Sequence, residues 1–252
     1  MTDDLIYGPL YKRAPQVALP GRLFYQVMGG SNAYGLAHDR SDEDWRGVYQ
    51  VPTEALFGLR PPADHYEFEP DQQYWELTHF AKMCLAGNPN IMELLWLPEE
   101  MIAIDSGLAQ SFRAIRTNFI SANLAEAYFG WIKSERFKLA PKLVKVNGRL
   151  EPALPSDRQD DLIAGKRGSH LVRLALNLWQ ALTEGQITVR LTGENLDFVK
   201  KVKTGRIPAQ EVLDFVDHLE LACREVYQST PLLPPDPAPV EQILLRARRG
   251  EL

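Results

Sequence analysis

Strand-forming signals nearly vanish after about residue 110, and this change of period constrains the fold more than any other feature of the chain. Before it, residues 23–28 form a short apolar run ending in Gly29-Gly30, a strand followed by a turn. Residues 45–51 are rich in β-formers and stop at Pro52. Residues 65–79 alternate aromatic and polar positions around Pro70-Asp71, the pattern of a hairpin or bent strand. From Leu77 the apolar positions Leu77, Phe80, Ala81, Cys84 and Leu85 fall at helical spacing, and Gly87 supplies a stop. Asn88-Pro89-Asn90 then opens a short helix with Ile91, Leu94 and Leu95 on one face, and Asn88 and Asn90 read as its caps. Beyond residue 110 the windows 111–139, 161–184, 208–228 and 239–249 all have helical period, separated by Pro-rich connections at 140–157 and 229–239. The expectation is an α+β domain over residues 1–110, a mixed β-sheet with flanking helices, followed by an all-α C-terminal domain over 111–252.

Both halves are long enough to bury a core, and the 45% hydrophobic and 24% charged content excludes wholesale disorder. No apolar run approaches the roughly 18 residues of a membrane helix, and the N-terminal stretch lacks a signal-peptide pattern. Cys84 and Cys223 lie in helix-like apolar context and cannot build a disulfide framework. A cytoplasmic location is expected. The net charge of −5 divides unevenly: residues 1–110 hold 16 acidic against 7 basic side chains, residues 111–252 hold 17 against 21. An acidic half repels nucleic acid unless cations bridge the two, whereas a basic half attracts phosphate.

The chemistry concentrates in residues 29–48, GGSNAYGLAHDRSDEDWRGV. Gly30-Ser31 follows an apolar strand, and Asp42-Glu43-Asp44-Trp45 opens the next. On a strand, residues i and i+2 share a face, so Asp42 and Asp44 would point one way and Glu43 the other. Adjacent carboxylates repel unless a cation sits between them, and hard divalent ions such as Mg²⁺ take such oxygen ligands together with substrate phosphates. The Gly-Ser turn lets backbone approach a phosphate, with N–H groups and a hydroxyl as donors. An EF-hand loop is excluded, because the register Asp39, Ser41, Glu43 lacks the glycine required at its sixth position.

Gly-Ser, ten intervening residues and Asp-x-Asp resemble the signature of the DNA polymerase β-like nucleotidyltransferase superfamily. The longer stretch GSNAYGLAHDRSDEDWRGV, continued by ELTHFAKMCLAGNPNIMELLW, resembles one branch of it, the RNA repair pathway DNA polymerase beta family. The resemblance spans roughly residues 24–97; Glu43 departs from it, at a position usually apolar in the superfamily. It implies a nucleotidyltransferase-like sheet and a third carboxylate on a neighbouring strand. Asp71 best fits that carboxylate, with Glu69 and Glu76 as alternatives. Two Mg²⁺ or Mn²⁺ ions about 4 Å apart would then clamp in-line displacement at the α-phosphorus of an NTP. Asp42, Asp44 and Asp71 would be the metal ligands and catalytic residues, and Gly30 with Ser31 would hold the β/γ-phosphates. Such transfer is positioning and charge neutralisation, which needs no His or Cys nucleophile. The implied reaction moves an NMP from an NTP, such as ATP, to a hydroxyl with release of pyrophosphate, and an RNA 3′ end is the implied acceptor. Transfer to a protein or small molecule is the rival within chemistry. A binding protein without turnover is the rival outside it, and intact Asp42 and Asp44 argue against that.

Three further groups bear on the NTP and acceptor. Arg46, beside the aspartates, pairs with a carboxylate or reaches phosphate. Lys166, His170, Arg173 and Asn177 step by four, three and four residues along one helix face. That is the pattern of a solvated stripe, yet helical domains of the resembled enzymes supply a cation to the triphosphate, which makes Lys166 and Arg173 nucleotide-binding candidates. Lys133, Arg136, Lys138, Lys142 and Lys145, interleaved with Trp131 and Phe137, suit either a nucleic-acid strand or a soluble surface.

Overall fold

In the computed structural model the first half is built on a mixed sheet of six strands: β1 (Ile6–Tyr7), β2 (Arg22–Met28), β3 (Trp45–Gln50), β4 (His65–Glu69), β5 (Gln72–Glu76) and β6 (Ile102–Asp105). The structure describes residues 5–39, 41–69, 71–139, 143–146, 149–152 and 158–252, with side chains described outside 69, 143–146, 149–152 and 158–163. The spatial order is β1-β6-β2-β3-β5-β4. Only β3 and β5 run parallel, with Trp45 opposite Gln72 and Val48 opposite Trp75. Every residue from Phe24 to Met28 is buried, which explains why β2 reads as a continuous apolar run: a central strand is covered on both faces. Its one polar member, Gln26, is satisfied by donating to Pro15 O at 3.0 Å and to the Tyr74 hydroxyl at 2.9 Å.

The hairpin expected around Pro70-Asp71 is β4–β5. α1 (Gly30–Tyr34) follows β2, and α2 (Leu77–Leu85) and α3 (Pro89–Leu95) follow β5. α2 stops where Gly87 adopts φ +66°, and the Asn88 side chain caps α3 by accepting from Asn90 N–H, with Pro89 in the first turn. After β6 come α4 (Gly107–Ala114) and α5 (Ala122–Leu139). The window 111–139 therefore contains the end of α4, a 3₁₀ turn at Arg116–Phe119 and α5. A hairpin, β7 (Leu143–Val146) with β8 (Arg149–Pro152), occupies the stretch that reads as a Pro/Lys-rich connection. The sequence carries a signal for it, Val144, Val146 and Leu150 alternating with polar residues about Asn147-Gly148, which the surrounding Pro and Lys residues outweigh. α6 (Arg158–Glu184), α7 (Gly193–Lys203), α8 (Ala209–Ser229) and α9 (Ala238–Arg248) complete the C-terminal helical region. α7 was not expected, because its buried Val199 and Val202 are too few to impose a visible period.

The chain divides into two compact units, the first comprising residues 1–124, 187–191 and 232–252 and the second 125–186 and 192–231. This division differs from a boundary at residue 110. α4 buries Leu108, Ala109 and Phe112 against the β2 side of the first unit, and α9 returns to pack on α2 and α4. An ion pair fixes that return: Arg248 Nη2 lies 2.5 Å from Glu76 Oε1, and Arg248 also donates to Thr78 Oγ1 and Val51 O. Both cysteines are free and buried; burial pushes the Cys84 thiol well above its usual range and the Cys223 thiol up to about 12. Among the described residues no helix is long and apolar enough to cross a membrane.

Candidate active site

The Gly-Ser and Asp-x-Asp segments meet at one corner of the first unit. Gly29 N–H donates to Asp44 O at 2.7 Å, joining the end of β2 to the residue just before β3. Gly30 has φ +59°, a conformation costly for any residue with a Cβ. A Cβ built there would sit 1.6 Å from Asp44 Oδ2, so the carboxylate occupies the space that glycine leaves. Gly30 and Ser31 form the first residues of α1 rather than an open turn, and Ser31 is half-buried. The strand expected to begin at Asp42 begins at Trp45, so the two aspartates lie on the segment leading into it.

Each member of that segment has its own anchor. Asp42 is exposed, and its carbonyl accepts from Asn32 Nδ2 at 3.0 Å. Glu43 leaves the aspartate side altogether: it pairs with Arg13 and accepts from Trp45 Nε1 at 3.1 Å. That accounts for an acidic residue where the resembled superfamily carries an apolar one. Asp44 is half-buried, with Oδ1 3.4 Å from Arg46 Nη2.

Of the three alternatives for a third carboxylate, Asp71 lies next to this corner. Its carbonyl accepts from Trp45 N–H at 2.7 Å and from Arg46 Nη1 at 3.0 Å, so Arg46 ties Asp44 to the start of β5. Glu76 is otherwise committed. It is buried, caps α2 by accepting from Thr78 N–H at 2.6 Å, and pairs with Arg248. The side chain of Glu69 lies outside the described residues. Among the described residues no three His, Cys, Asp or Glu side chains already converge as a metal-binding group. The side chains named for the site are aspartates, with neither His nor Cys among them, the ligand type that hard cations take.

Two contributors escaped the sequence reading. Asn32 holds the Asp42 carbonyl, and Arg190 Nη2 lies 3.5 Å from both Asn32 O and Glu100 Oε1. Arg190 Nε is buried without a hydrogen-bond partner. The segment Ile187–Leu191 docks on α1 through Leu191 N–H to Tyr34 O at 3.2 Å. The signal was present: Ile187, Val189 and Leu191 alternate with polar residues, and all three are buried. On the other side of α1, Tyr34 donates to the buried Glu93 Oε2 at 2.6 Å, which accounts for a carboxylate within the Asn-Pro-Asn helix.

This ordered set, with the Asn-Pro-Asn helix behind it, matches a family model that covers residues 11–190: the RNA repair pathway DNA polymerase beta family. The chain belongs to that family. The family is one of DNA polymerase beta-like nucleotidyltransferases, and its name links it to RNA repair. Comparisons with curated proteins and with solved structures give no match. The family match runs through the helical residues Lys166 and Arg173 and ends at Arg190. Lys166 is exposed on α6, whereas Arg173 is 5% exposed and Asn177 is buried, so this stripe is not a solvated face. Arg173 Nη2 lies 3.3 Å from His170 Nδ1, and the His170 ring meets Trp131 edge-on. Lys166 and Arg173 belong to the second unit, and the corner described above belongs to the first.

Proposed function

We propose that the protein is a metal-dependent nucleotidyltransferase that moves a nucleoside monophosphate from an NTP to a hydroxyl acceptor, an RNA 3′ end. The observation that carries this reading is the seat of the Asp44 carboxylate against Gly30, which gives the Gly-Ser segment and the acidic pair a single location. Asp42, Asp44 and Asp71 would hold Mg²⁺ or Mn²⁺, and Gly30 and Ser31 would offer backbone N–H groups and a hydroxyl to the β- and γ-phosphates. When bound, the cation neutralises triphosphate charge and favours the ionised acceptor hydroxyl. The chain's own work is positioning: Arg46 holds Asp44 beside Asp71, Asn32 holds the loop at Asp42, and α1 sets the phosphate donors. The acceptor oxygen bonds to the α-phosphorus as the bond to the β-phosphate bridging oxygen breaks, and pyrophosphate leaves. The extended alternation ending at Arg190 and the anchored Glu43 support a corner built for this geometry rather than a chance acidic loop.

The test is incubation with labelled NTPs, Mg²⁺ or Mn²⁺, and a panel of RNA, DNA, protein and small-molecule acceptors. Label should appear on RNA, and Asp42→Asn should abolish it while leaving the metal-free fold intact or slightly more stable, because a repulsion is removed. A folded Asp42→Asn protein with wild-type transfer would overturn the assignment of these aspartates. Label on a protein or small molecule alone would replace the RNA acceptor.

A further inference from the structure

Gly130 lies in the middle of α5, where glycine weakens a helix, yet a Cβ built there meets no atom within 4 Å. Packing inside the chain therefore does not demand it. The space belongs to a groove of about 740 Å³ between α5 and α8, within the second unit. Gly130, Lys133, Phe137 and Lys138 line it from α5, and Leu213 and Asp217 from α8. The α5 residues recur at helical spacing, so one face of that helix is given to the groove while Tyr128, Phe129 and Ile132 fill the core. Phe137 is 85% exposed, a large aromatic with no burial to justify it.

We propose that this groove binds a single-stranded polynucleotide, and on the nucleotidyl-transfer reading that strand is the RNA acceptor. The flat exposed ring of Phe137 offers a stacking face that any unpaired base can use and that a duplex, with its bases inside, cannot. Lys133 lies one helix turn before Phe137 and lines the same groove, where its ammonium can meet a phosphate. Arg136 is held at 2.6 Å by Asp217 Oδ2, so its charge is already answered within the groove wall. Cationic side chains continue beyond the groove. A Cβ on Gly165 would touch Lys203 O, and one on Gly168 would touch Val202, Val212 and Leu139, so the ends of α5 and α7 and the start of α8 meet at the N-terminal third of α6. Lys166, Arg167, Lys200, Lys201 and Arg206 are exposed at that end, with Glu211 and Asp214 of α8 exposed beside them. Lys138 is paired with Glu135, which leaves the groove itself only mildly positive and gives the aromatic face the larger part in binding.

The measurement needs no turnover. Fluorescence anisotropy of labelled single-stranded RNA, the same sequence as DNA, its duplex, and a poly-glutamate peptide is followed across a salt series. The single strands should bind and the duplex weakly; RNA over DNA identifies the 2′-hydroxyl as read. Phe137→Ala should weaken binding at least fivefold at unchanged Tm, and Gly130→Leu should do the same by filling the groove. Lys133→Glu should reduce the slope of log K against log salt by about 0.7 or more. Asp42→Asn, silent in transfer, should bind the strand normally. Wild-type affinity in Phe137→Ala and Gly130→Leu, or binding of the peptide but not the strand, overturns the proposal. RNA transfer with an unchanged acceptor KM in Phe137→Ala overturns it too, while leaving the proposed reaction standing.

Discussion

A carboxylate oxygen at Asp44 fills the place where any residue but glycine would carry its Cβ at position 30, and this contact separates two kinds of effect that mutation can have at the corner. Ser31→Ala removes one hydroxyl and keeps every backbone amide. It should weaken NTP use by about 1–3 kcal/mol, the worth of one hydrogen bond to a charged group. Gly30→Ala adds one methyl at φ +59°, which costs about 1–2 kcal/mol of stability and also pushes the Asp44 carboxylate aside. Its kcat should therefore fall further than that of Ser31→Ala. Steady-state kinetics together with denaturant unfolding separate the two; equal and negligible effects of both would remove this segment from nucleotide binding. Sequence reading reached the chemistry of this corner because Gly-Ser and Asp-x-Asp are local patterns. It missed Asn32, whose amide holds the Asp42 carbonyl within the same segment, and Arg190, which sits on a short alternating stretch whose place beside α1 only the fold reveals.

At the scale of elements, the strands and helices with strong period were legible: β2, the β4–β5 hairpin, α2 with its Gly87 stop, and the capped α3. The hairpin β7–β8 and α7 were not: the Asn-Gly signal of the hairpin lies in a stretch dominated by Pro and Lys, and the apolar period of α7 is too short to register. The attachment of α9 was equally hidden, since its buried Val240, Ile243 and Ala247, its hydrogen bonds from Gln50 and Thr53 and its ion pair between Arg248 and Glu76 all join it to residues far back in the chain. The Arg248 and Glu76 side chains are 13% and 5% exposed, so truncating one leaves the other charged and poorly solvated. Arg248→Ala should cost about 3–5 kcal/mol in urea unfolding, and Glu76→Gln should lose part of the α2 cap as well. This also bears on the choice among the acidic candidates. A Glu76→Gln protein stabilised back by salt or ligand should recover transfer, whereas Asp71→Asn should fold normally and transfer nothing. A Glu76→Gln protein of full stability and no activity would return Glu76 to the list of metal ligands.

At the scale of the whole molecule, charge and burial divide labour between the two units in a way the sequence suggested only as an imbalance. The acidic pair and the candidate phosphate donors belong to the first unit, and the candidate cations Lys166 and Arg173 to the second. These two cations are unequal probes. Arg173 is 5% exposed among Ser169 and Asn177, so Arg173→Ala removes buried polar contacts and should lower stability whatever it does to kinetics. Lys166 is exposed on α6, and an exposed lysine contributes no more than about 0.5 kcal/mol to folding. Any kinetic effect of Lys166→Ala therefore reports on ligand and not on fold. If the helical unit supplies positive charge to a triphosphate that the cations only partly neutralise, Lys166→Ala should raise KM for NTP severalfold, leave kcat within about twofold, and leave the acceptor KM alone. Phe137→Ala should show the opposite split. Varying NTP and acceptor independently reads both. An unchanged NTP KM in Lys166→Ala, combined with a loss in Arg173→Ala that tracks its Tm, would confine nucleotide chemistry to the first unit and leave the second as the place where a strand is held.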